Sequence, residues 1–320
     1  MSKIPIVIDC DPGIDDSIAI IMLAGSDKVD IKAITTTHGN VGLEGTTKNA
    51  LALREFLGLD CLVAKGAAKP MIVPLKNASE IHGANGLAGF ELPQPQGTFE
   101  KDAAWDVMYN LAKKENGEMV LVVLGPMTNV ALTILKYPDF KNYVKRIYMM
   151  GGSRLYGNHS PTAEFNIWGD PHACQVVLSS GIPITMADLQ VGNEYGFLGT
   201  EITELYSHAK KLKPMMDRFQ RHDKIWMQSE CDRLGMDFDY DTSITTKYDS
   251  TAAAALLMDG DGLETEDYYV ICETQGSETE GQTIFDYSGR FGKQPNVSLV
   301  VKMDREKYHS LIRNALARFE

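Results

Sequence analysis

Four aspartates near the amino terminus are spaced in a way that suits cation binding. Asp9 and Asp11 end an apolar run at 6–8 that is typical of a buried strand. After one tight turn, Asp15 and Asp16 begin an apolar helix, at the end of a helix where negative charge is favoured. Because residues two apart on a strand share a face, we expect all four carboxylates to converge where the strand ends.

Such a cluster needs a positive partner. Carboxylates this close repel one another, and the repulsion raises their pKa values unless a cation neutralises them. Oxygen donors favour calcium or magnesium, whereas zinc prefers nitrogen and sulfur ligands. Each aspartate alone would also suit a helix cap or a turn. The four together predict a metal site at the carboxyl end of a strand, where open α/β sheets bind ligands.

The rest of the chain alternates strands with helices, which would position such a site at one edge of a sheet. Strands are predicted from apolar runs at 31–37, 61–64, 119–124, 144–150, 182–187, 268–273 and 296–303. The run at 119–124 is apolar throughout, as expected for a central strand buried on both faces. We therefore predict a single α/β domain over residues 1–320 with an open, mostly parallel, Rossmann-like sheet flanked by helices. Its active site is expected at the C-terminal ends of the strands.

Three stretches lack a clear hydrophobic period and are predicted to be loops. Residues 66–97 are rich in glycine and proline and contain one histidine, His82. Residues 153–170 are polar, and residues 232–246 are acidic with aromatic side chains. Between these last two loops, residues 200–231 are predicted to be one long helical region. Loops of this length inside a compact domain are usually functional or mobile.

The composition excludes several classes of partner. The 320 residues are 44% hydrophobic and 23% charged, which is typical of a globular protein with a large core. The formal net charge of −12 argues against nucleic acid and anionic membranes, and no apolar run approaches the roughly 18 residues that a membrane helix needs. No signal peptide is visible, and the five cysteines are scattered. We therefore expect a cytoplasmic protein with reduced thiols.

Several motifs together resemble one enzyme family. The segments DCDPGIDD at 9–16, TTTHGN at 35–40, GPMTNVA at 125–131 and AEFNIWGDP at 163–171 are similar, in order and spacing, to those of the nucleoside hydrolases. These are calcium-dependent N-ribohydrolases, often called inosine–uridine preferring. The resemblance covers essentially the whole chain, up to VSLVVKMDREKY at 297–308. It implies hydrolysis of ribonucleosides to ribose and a free purine or pyrimidine base, by a homodimer or homotetramer.

The resemblance also implies a role for each site residue. Calcium would be bound by the side chains of Asp11, Asp16 and Asp249 and by the main-chain carbonyl of Leu124. Asp15 would be the general base, which agrees with its chemistry, because a carboxylate that is not needed for chelation can accept a proton from water. Four side chains would contact the ribose hydroxyls and a fifth would pack near the sugar, namely Asn40, Asn158, Glu164, Asn166 and Met150.

One position departs from the family pattern. In the inosine–uridine branch, a histidine that assists the departing base precedes the late metal-binding aspartate, and here that residue is Tyr248. A phenol, with a pKa of about 10, is a poorer proton source at pH 7 than an imidazole. Three alternatives stay open for the leaving base, namely donation by Tyr248, donation by His82 and assistance from water.

The preference for one class of base stays open as well. Three aromatic side chains, Trp226, Phe238 and Tyr240, could stack on the base or belong to the core. The sequence does not decide between purine and pyrimidine nucleosides.

Two other functions compete with the hydrolase. A metal-dependent phosphohydrolase would also begin with an apolar strand that ends in two aspartates, but here the predicted site segments carry Asn and Glu rather than the Lys or Arg that a phosphate needs. A non-catalytic binder of a ribosylated ligand is the second alternative, because a fold does not determine a function. The presence of Asp15 beside the predicted ligands argues against it, since a pure binder needs no base.

Overall fold

Eight strands form the central sheet of the computed structural model, which describes residues 2–319. The sheet order is β3-β2-β1-β4-β5-β6-β12-β9, and two short antiparallel pairs, β10–β11 and β7–β8, lie outside it. The strands in chain order are β1 Ile4–Cys10, β2 Val29–Thr36, β3 Leu62–Lys65, β4 Met119–Val123, β5 Val144–Met150, β6 Ile184–Ala187, β7 Phe197–Leu198, β8 Ile244–Thr245, β9 Leu263–Tyr268, β10 Val270–Cys272, β11 Thr283–Phe285 and β12 Val297–Met303.

Helices pack on both faces of this sheet. They are α1 Ile14–Ala24, α2 Leu43–Leu57, α3 Ser79–His82, α4 Ala104–Lys114, α5 Thr128–Lys136, α6 Phe165–Gly169, α7 Pro171–Leu178, α8 Leu189–Glu194, α9 Gly199–Ser207, α10 Lys213–Leu234, α11 Tyr248–Leu257 and α12 Arg305–Arg318. Among residues 2–319, none of these helices combines the length and apolar character required to cross a membrane.

The alternation of side chains along the strands divides the core into two layers. On β1, Ile6 and Ile8 belong to one hydrophobic cluster with α1, α11 and α12, whereas Val7 belongs to the other with α4, α5 and α7. Successive residues of a strand point to opposite faces, so β1 and β4 supply both layers. All five residues of β4 are buried, which confirms the prediction of a central strand covered on both sides.

The order in which the chain adds strands reverses between β1 and β4. Strands β2 and β3 lie on one side of β1, and β4, β5 and β6 lie on the other. Strand β1 pairs in parallel with β2 on one side and with β4 on the other, and the sheet is parallel throughout except for its β9 edge, which runs antiparallel to β12. This is the topological switch point of an open α/β sheet, where the loops that leave two adjacent strands diverge and open a crevice. The predicted fold class is confirmed.

Several predicted loops contain short helices. The stretch 66–97 contains α3, and the stretch 153–170 contains α6. Neither helix is long enough to reveal a period in the sequence. The second is stabilised locally, because the Glu164 side chain accepts hydrogen bonds from the main-chain N–H groups of Asn166 and Ile167.

Other boundaries were also wrong. The predicted helical region 200–231 is two helices, α9 and α10, and α10 continues into the predicted loop 232–246, which also contains β8. The predicted strand 268–273 is divided, because Tyr268 still pairs with β12 in the main sheet whereas β10 pairs with β11. Strands β7, β8 and β11 were missed altogether, and β9 was predicted only at its last residue. These elements depend on partners that are distant in sequence, which local patterns do not contain.

We predict that Asn129 is a structural link between β1, β2 and the loop after β3. Its buried side chain donates to Asp9 and to the Thr36 carbonyl and accepts from the Ala67 N–H. Asn129→Ala leaves these buried groups without their partner, so the free energy of unfolding in urea is expected to fall by about 2–3 kcal/mol. Asn142→Ala, at an exposed position at the end of a short 3₁₀ helix, is the control; an equally small effect of both substitutions would contradict the prediction.

Candidate active site

A cavity of about 460 Å³ opens at the carboxyl edge of the sheet, above the switch point. The residues to which the family resemblance assigned a role line it, as do His82 and Tyr248, with the exception of Asp11 and Asp16. These two aspartates are almost completely buried and lie next to the lining residue Asn40, whose Nδ2 donates to Asp16 Oδ2. The tertiary structure therefore brings the predicted residues to one location.

Two helix amino termini position the acidic cluster. Asp15 and Asp16 lie in the first turn of α1, and Asp249 lies in the first turn of α11, which packs against α1. Carboxylate oxygens of these three residues lie within 4.8 Å of one another. Sequence positions more than 230 residues apart thus supply one group of oxygen donors, at helix ends that favour negative charge.

Asp9 does not join this cluster. Its Oδ1 accepts hydrogen bonds from the Thr35 hydroxyl at 2.6 Å and from the Asn129 side chain at 2.8 Å. Strand β1 ends at Cys10. Because Asp11 lies beyond the strand, the rule that residues two apart on a strand share a face does not hold between Asp9 and Asp11. The expectation that all four aspartates converge was wrong for Asp9, which has a structural role.

Asp11 is enclosed by main-chain groups. Its Oδ2 accepts a hydrogen bond of 2.7 Å from the Asn40 N–H, and the Asn40 side chain donates to the Asp11 carbonyl at 2.9 Å. A Cβ atom at Gly39 or Gly125 would collide with the Asp11 carboxylate, so glycine permits this close approach. Within the described chain, Asp11 Oδ1 is buried without a hydrogen-bond partner.

The electrostatics of the cluster favour a bound cation. Burial raises the pKa of Asp16 to about 7, with a further contribution from the Asp15 charge. Burial also raises the pKa of Asp11 and of Asp249 well above the ordinary value, and neighbouring carboxylates add to both shifts. A hard divalent cation would remove this penalty and satisfy the free Asp11 oxygen. The donor set therefore fits an ion such as calcium or magnesium.

The main-chain carbonyl of Leu124 follows β4 and faces the same region. The Asn166 side chain donates to this carbonyl at 2.7 Å and to the Met150 carbonyl at 3.3 Å. A carbonyl oxygen has a second lone pair, so Leu124 can still contribute to a metal site. Asn166 in turn is held in place by the ends of two central strands, β4 and β5.

Glu164 is the most strongly constrained polar group on the adjacent wall. Its carboxylate accepts hydrogen bonds from the N–H groups of Gly152, Asn166 and Ile167, at 3.1, 2.9 and 3.2 Å. Burial nevertheless raises the pKa of Glu164 to about 7. Nearby, Asn158 Oδ1 accepts from the Phe165 N–H at 3.0 Å. Carboxylate and amide groups fixed in this way can recognise the hydroxyl groups of a sugar.

The two candidate proton donors have different surroundings. His82 Nδ1 accepts from the Ile14 N–H at 3.2 Å and lies 3.9 Å from Asp15 Oδ1, so Nε2 carries the proton of the neutral ring. Burial lowers the pKa of His82. The Tyr248 hydroxyl donates to Asn193 Oδ1 at 2.9 Å, and a Cβ atom at Gly192 would collide with the Tyr248 ring.

The sequence analysis missed most of the wall formed by α10 and the segment before α11. His222, Asp223, Met227 and Lys247 line the cavity there, together with Trp226, which was a candidate for stacking. No spacing signal singles out these residues, because two separate elements contribute them. The other two stacking candidates belong elsewhere, since neither Phe238 nor Tyr240 is among the described lining residues.

Known proteins with similar sequences and folds are nucleoside hydrolases. The sequence model of the family described as inosine-uridine preferring nucleoside hydrolase matches residues 6–310. The chain is 34% identical to the pyrimidine-specific ribonucleoside hydrolase RihA of Enterobacter sp. (strain 638), over 99% of this chain and 98% of that protein. Its fold is similar to that of a plant nucleoside hydrolase, PpNRh1, with a TM-score of 0.88 and 27% identity over 99% of each chain. It is also similar to a purine-preferring ribonucleoside hydrolase from Gardnerella vaginalis, with a TM-score of 0.87 and 26% identity over 98% of each chain.

We predict that Glu164 makes the metal-free protein less stable as the pH rises. Its folded pKa is about 7 and its unfolded pKa is about 4.3, so the stability that it contributes is complete below the unfolded value and is lost as the pH rises through 7. In chelator, the free energy of unfolding should fall from pH 6 to pH 8. Glu164→Gln should reduce that slope by up to about 1.4 kcal/mol per pH unit.

Urea unfolding at pH 6, 7 and 8 measures both slopes. Glu91→Gln, which alters an exposed glutamate, is the control and should retain the wild-type slope. Identical slopes for wild type and Glu164→Gln would contradict a raised pKa at this site.

Proposed function

Since the chain belongs to the inosine-uridine preferring nucleoside hydrolase family, we propose that it hydrolyses the N-glycosidic bond of ribonucleosides in a calcium-dependent reaction. The products are ribose and a free base. The observation that carries this proposal is the group of carboxylates at 15, 16 and 249, the last two of them buried, beside fixed amide and carboxylate groups in one cavity. We propose that residues 1–320 act as one domain.

The ribose would bind among the polar groups of the sheet edge. Asn158, Glu164 and Asn166 are held by main-chain contacts that also orient them, and Asn40 and Met150 line the same cavity. Buried groups that need hydrogen-bond partners strongly reject ligands that lack hydroxyls. This arrangement supports a polyhydroxylated sugar as the recognised part of the substrate.

The metal site would use Asp11, Asp16, Asp249 and the Leu124 carbonyl. Without a cation, the three buried carboxylates repel one another. This repulsion is the physical reason for proposing that calcium is required. When bound, calcium would supply positive charge that orients sugar hydroxyls and makes a bound water more acidic.

Asp15 would act as the general base. Its side chain lines the cavity and remains partly exposed, whereas Asp16 and Asp249 are buried. As Asp15 accepts one proton from water, the water oxygen bonds to the anomeric carbon. The carbon–nitrogen bond breaks and its electron pair leaves with the base, through a transition state that resembles an oxocarbenium ion. The departing base then gains a proton.

The hydrogen-bond pattern favours His82 over Tyr248 as the group that assists the base. The Nε2–H of His82 is free for a ligand because Nδ1 is the atom bonded to the Ile14 N–H, whereas the Tyr248 hydroxyl already donates to Asn193. Water remains the alternative proton source. The solved and curated relatives differ between purine and pyrimidine nucleosides, so we propose no preference between these bases.

We also propose a homodimer or homotetramer, as the family resemblance implies, and a cytoplasmic location, as the scattered cysteines indicate. Exposed apolar side chains near the cavity, including Leu155 and Tyr156, are suitable for burial between subunits. Light scattering of the purified protein would give the number of subunits.

We predict chelator-sensitive release of ribose from nucleosides. Reducing sugar should appear with inosine, adenosine, guanosine, uridine or cytidine in the presence of calcium, and should disappear with chelator because the repelling carboxylates lose their cation. Calcium should also raise the melting temperature. Hydrolysis of p-nitrophenyl phosphate instead would favour a phosphohydrolase, and calcium-dependent binding of ribose with no turnover of any nucleoside would favour the non-catalytic alternative.

We predict that replacing Asp15 lowers kcat, whereas replacing Asp249 removes the effect of calcium on the melting temperature. Asp15→Asn should lower kcat about 1,000-fold, since general-base catalysis contributes on the order of 10²–10⁴, while calcium still raises the melting temperature. Asp249→Asn should abolish the calcium-dependent rise itself. The control is Asp237→Asn, an exposed aspartate on the α10–β8 loop, and full activity of Asp15→Asn would exclude Asp15 as the base.

A further inference from the structure

A buried ion pair lies in the wall formed by α10 and the segment before α11. Lys247 Nζ lies 2.6 Å from Asp223 Oδ2, and the two side chains are only 3% and 13% exposed. Both residues line the cavity. Within the described lining, Lys247 is the single lysine or arginine, so it is the one permanent positive charge that the protein itself presents there.

Stability alone does not explain why this ion pair is buried. Removing two charges from water carries a large desolvation penalty, which a single ion pair often does not recover. An ammonium group has three N–H bonds, and in the part of the chain that the structure describes, Lys247 Nζ uses one of them, toward Asp223. Its remaining donor capacity is available to a ligand in the cavity.

The ion pair lies close to the group proposed to assist the leaving base. The charges of Lys247 and Asp223 both act on the pKa of His82, in opposite directions. Helix α10 is also tied to the His82 segment, because His222 Nε2 lies 2.7 Å from the Ile81 carbonyl oxygen. Through Asp223 on α10, Lys247 therefore lies on the same side of the cavity as His82, which is the side proposed for the base.

The proposed reaction needs positive charge on that side. Negative charge develops on the base as the carbon–nitrogen bond breaks, and stabilisation of developing charge by fixed groups is a major source of catalysis. His82 is neutral because burial lowers its pKa, and the Tyr248 hydroxyl already donates a hydrogen bond to Asn193. Neither offers a positive charge.

We propose that the Lys247 ammonium hydrogen-bonds to the departing base and stabilises its negative charge, and that Asp223 positions the ammonium. The inference rests on the proposed nucleoside hydrolysis and adds a catalytic residue to it. The electron pair of the broken carbon–nitrogen bond stays on the base, which then gains its proton from His82 or from water, as proposed above. Lys247 keeps its own proton throughout, and Asp223 is a positioning residue that does not touch the substrate.

The test compares two classes of riboside. Nucleosides have poor leaving groups, whereas p-nitrophenyl β-ribofuranoside has a leaving group that is stable as an anion and needs little help. Lys247→Met should lower kcat/KM for uridine and inosine about 100-fold and leave kcat/KM for the aryl riboside within about threefold. Lys247→Arg, which retains charge and donors, should recover most of the nucleoside activity.

Two further variants keep the test decisive. Lys247→Met/Asp223→Leu removes both charges, so it should fold even if the single variant leaves a destabilising unpaired carboxylate, and it should show the same selective loss. Lys302→Met, in an exposed ion pair with Glu264, is the matched surface control and should behave as wild type.

The outcomes separate this inference from the proposed function. Aryl riboside hydrolysis by the wild type with calcium supports the proposed function independently of Lys247. An equal loss for both substrate classes in the folded double variant would assign Lys247 a structural role, and unchanged nucleoside turnover would exclude it from catalysis. Either result would overturn the proposed role of Lys247 without contradicting the proposed function of the protein as a hydrolase.

Discussion

The repulsion among buried carboxylates at the switch point is the constraint on which this structure depends. Asp11, Asp16 and Asp249 are held close together in a dry environment that raises the pKa of each. A fold can maintain such an arrangement only if rigid elements enforce it and a ligand compensates it. Three features hold the carboxylates close together, namely the parallel sheet, the packing of α1 against α11 and the glycines around Asp11. A bound divalent cation would offset the repulsion.

The two sides of the cavity are built in different ways. The proposed sugar side comes from the ends of β1, β4 and β5 and from Glu164, whose carboxylate is fixed by three main-chain N–H groups. The proposed base side comes from α3, α10 and the segment before α11, and side-chain contacts such as that between His222 and the Ile81 carbonyl join α10 to α3. Strand ends in a packed sheet leave little freedom, whereas contacts between surface helices tolerate substitution.

This division agrees with the distribution of activities among similar proteins. A relative named as pyrimidine-specific and a solved structure named as purine-preferring are both similar to this chain over nearly its whole length. A shared sugar and metal side with a variable base side would account for one family with several base preferences. Tyr248, which departs from the family pattern, and the Lys247–Asp223 pair both line the proposed base side.

The sequence by itself determined the sheet, its buried central strand and the acidic motif, because strand and helix periods are local properties that a short window contains. The tertiary structure alone decided where side chains outside those periods point. It turned Asp9 toward Thr35 and Asn129 and brought Asp249 to Asp15 and Asp16. It also paired Lys247 with Asp223. Each of these outcomes depends on a hydrogen bond or a charge supplied from a distant part of the chain, and no local pattern specifies that partner.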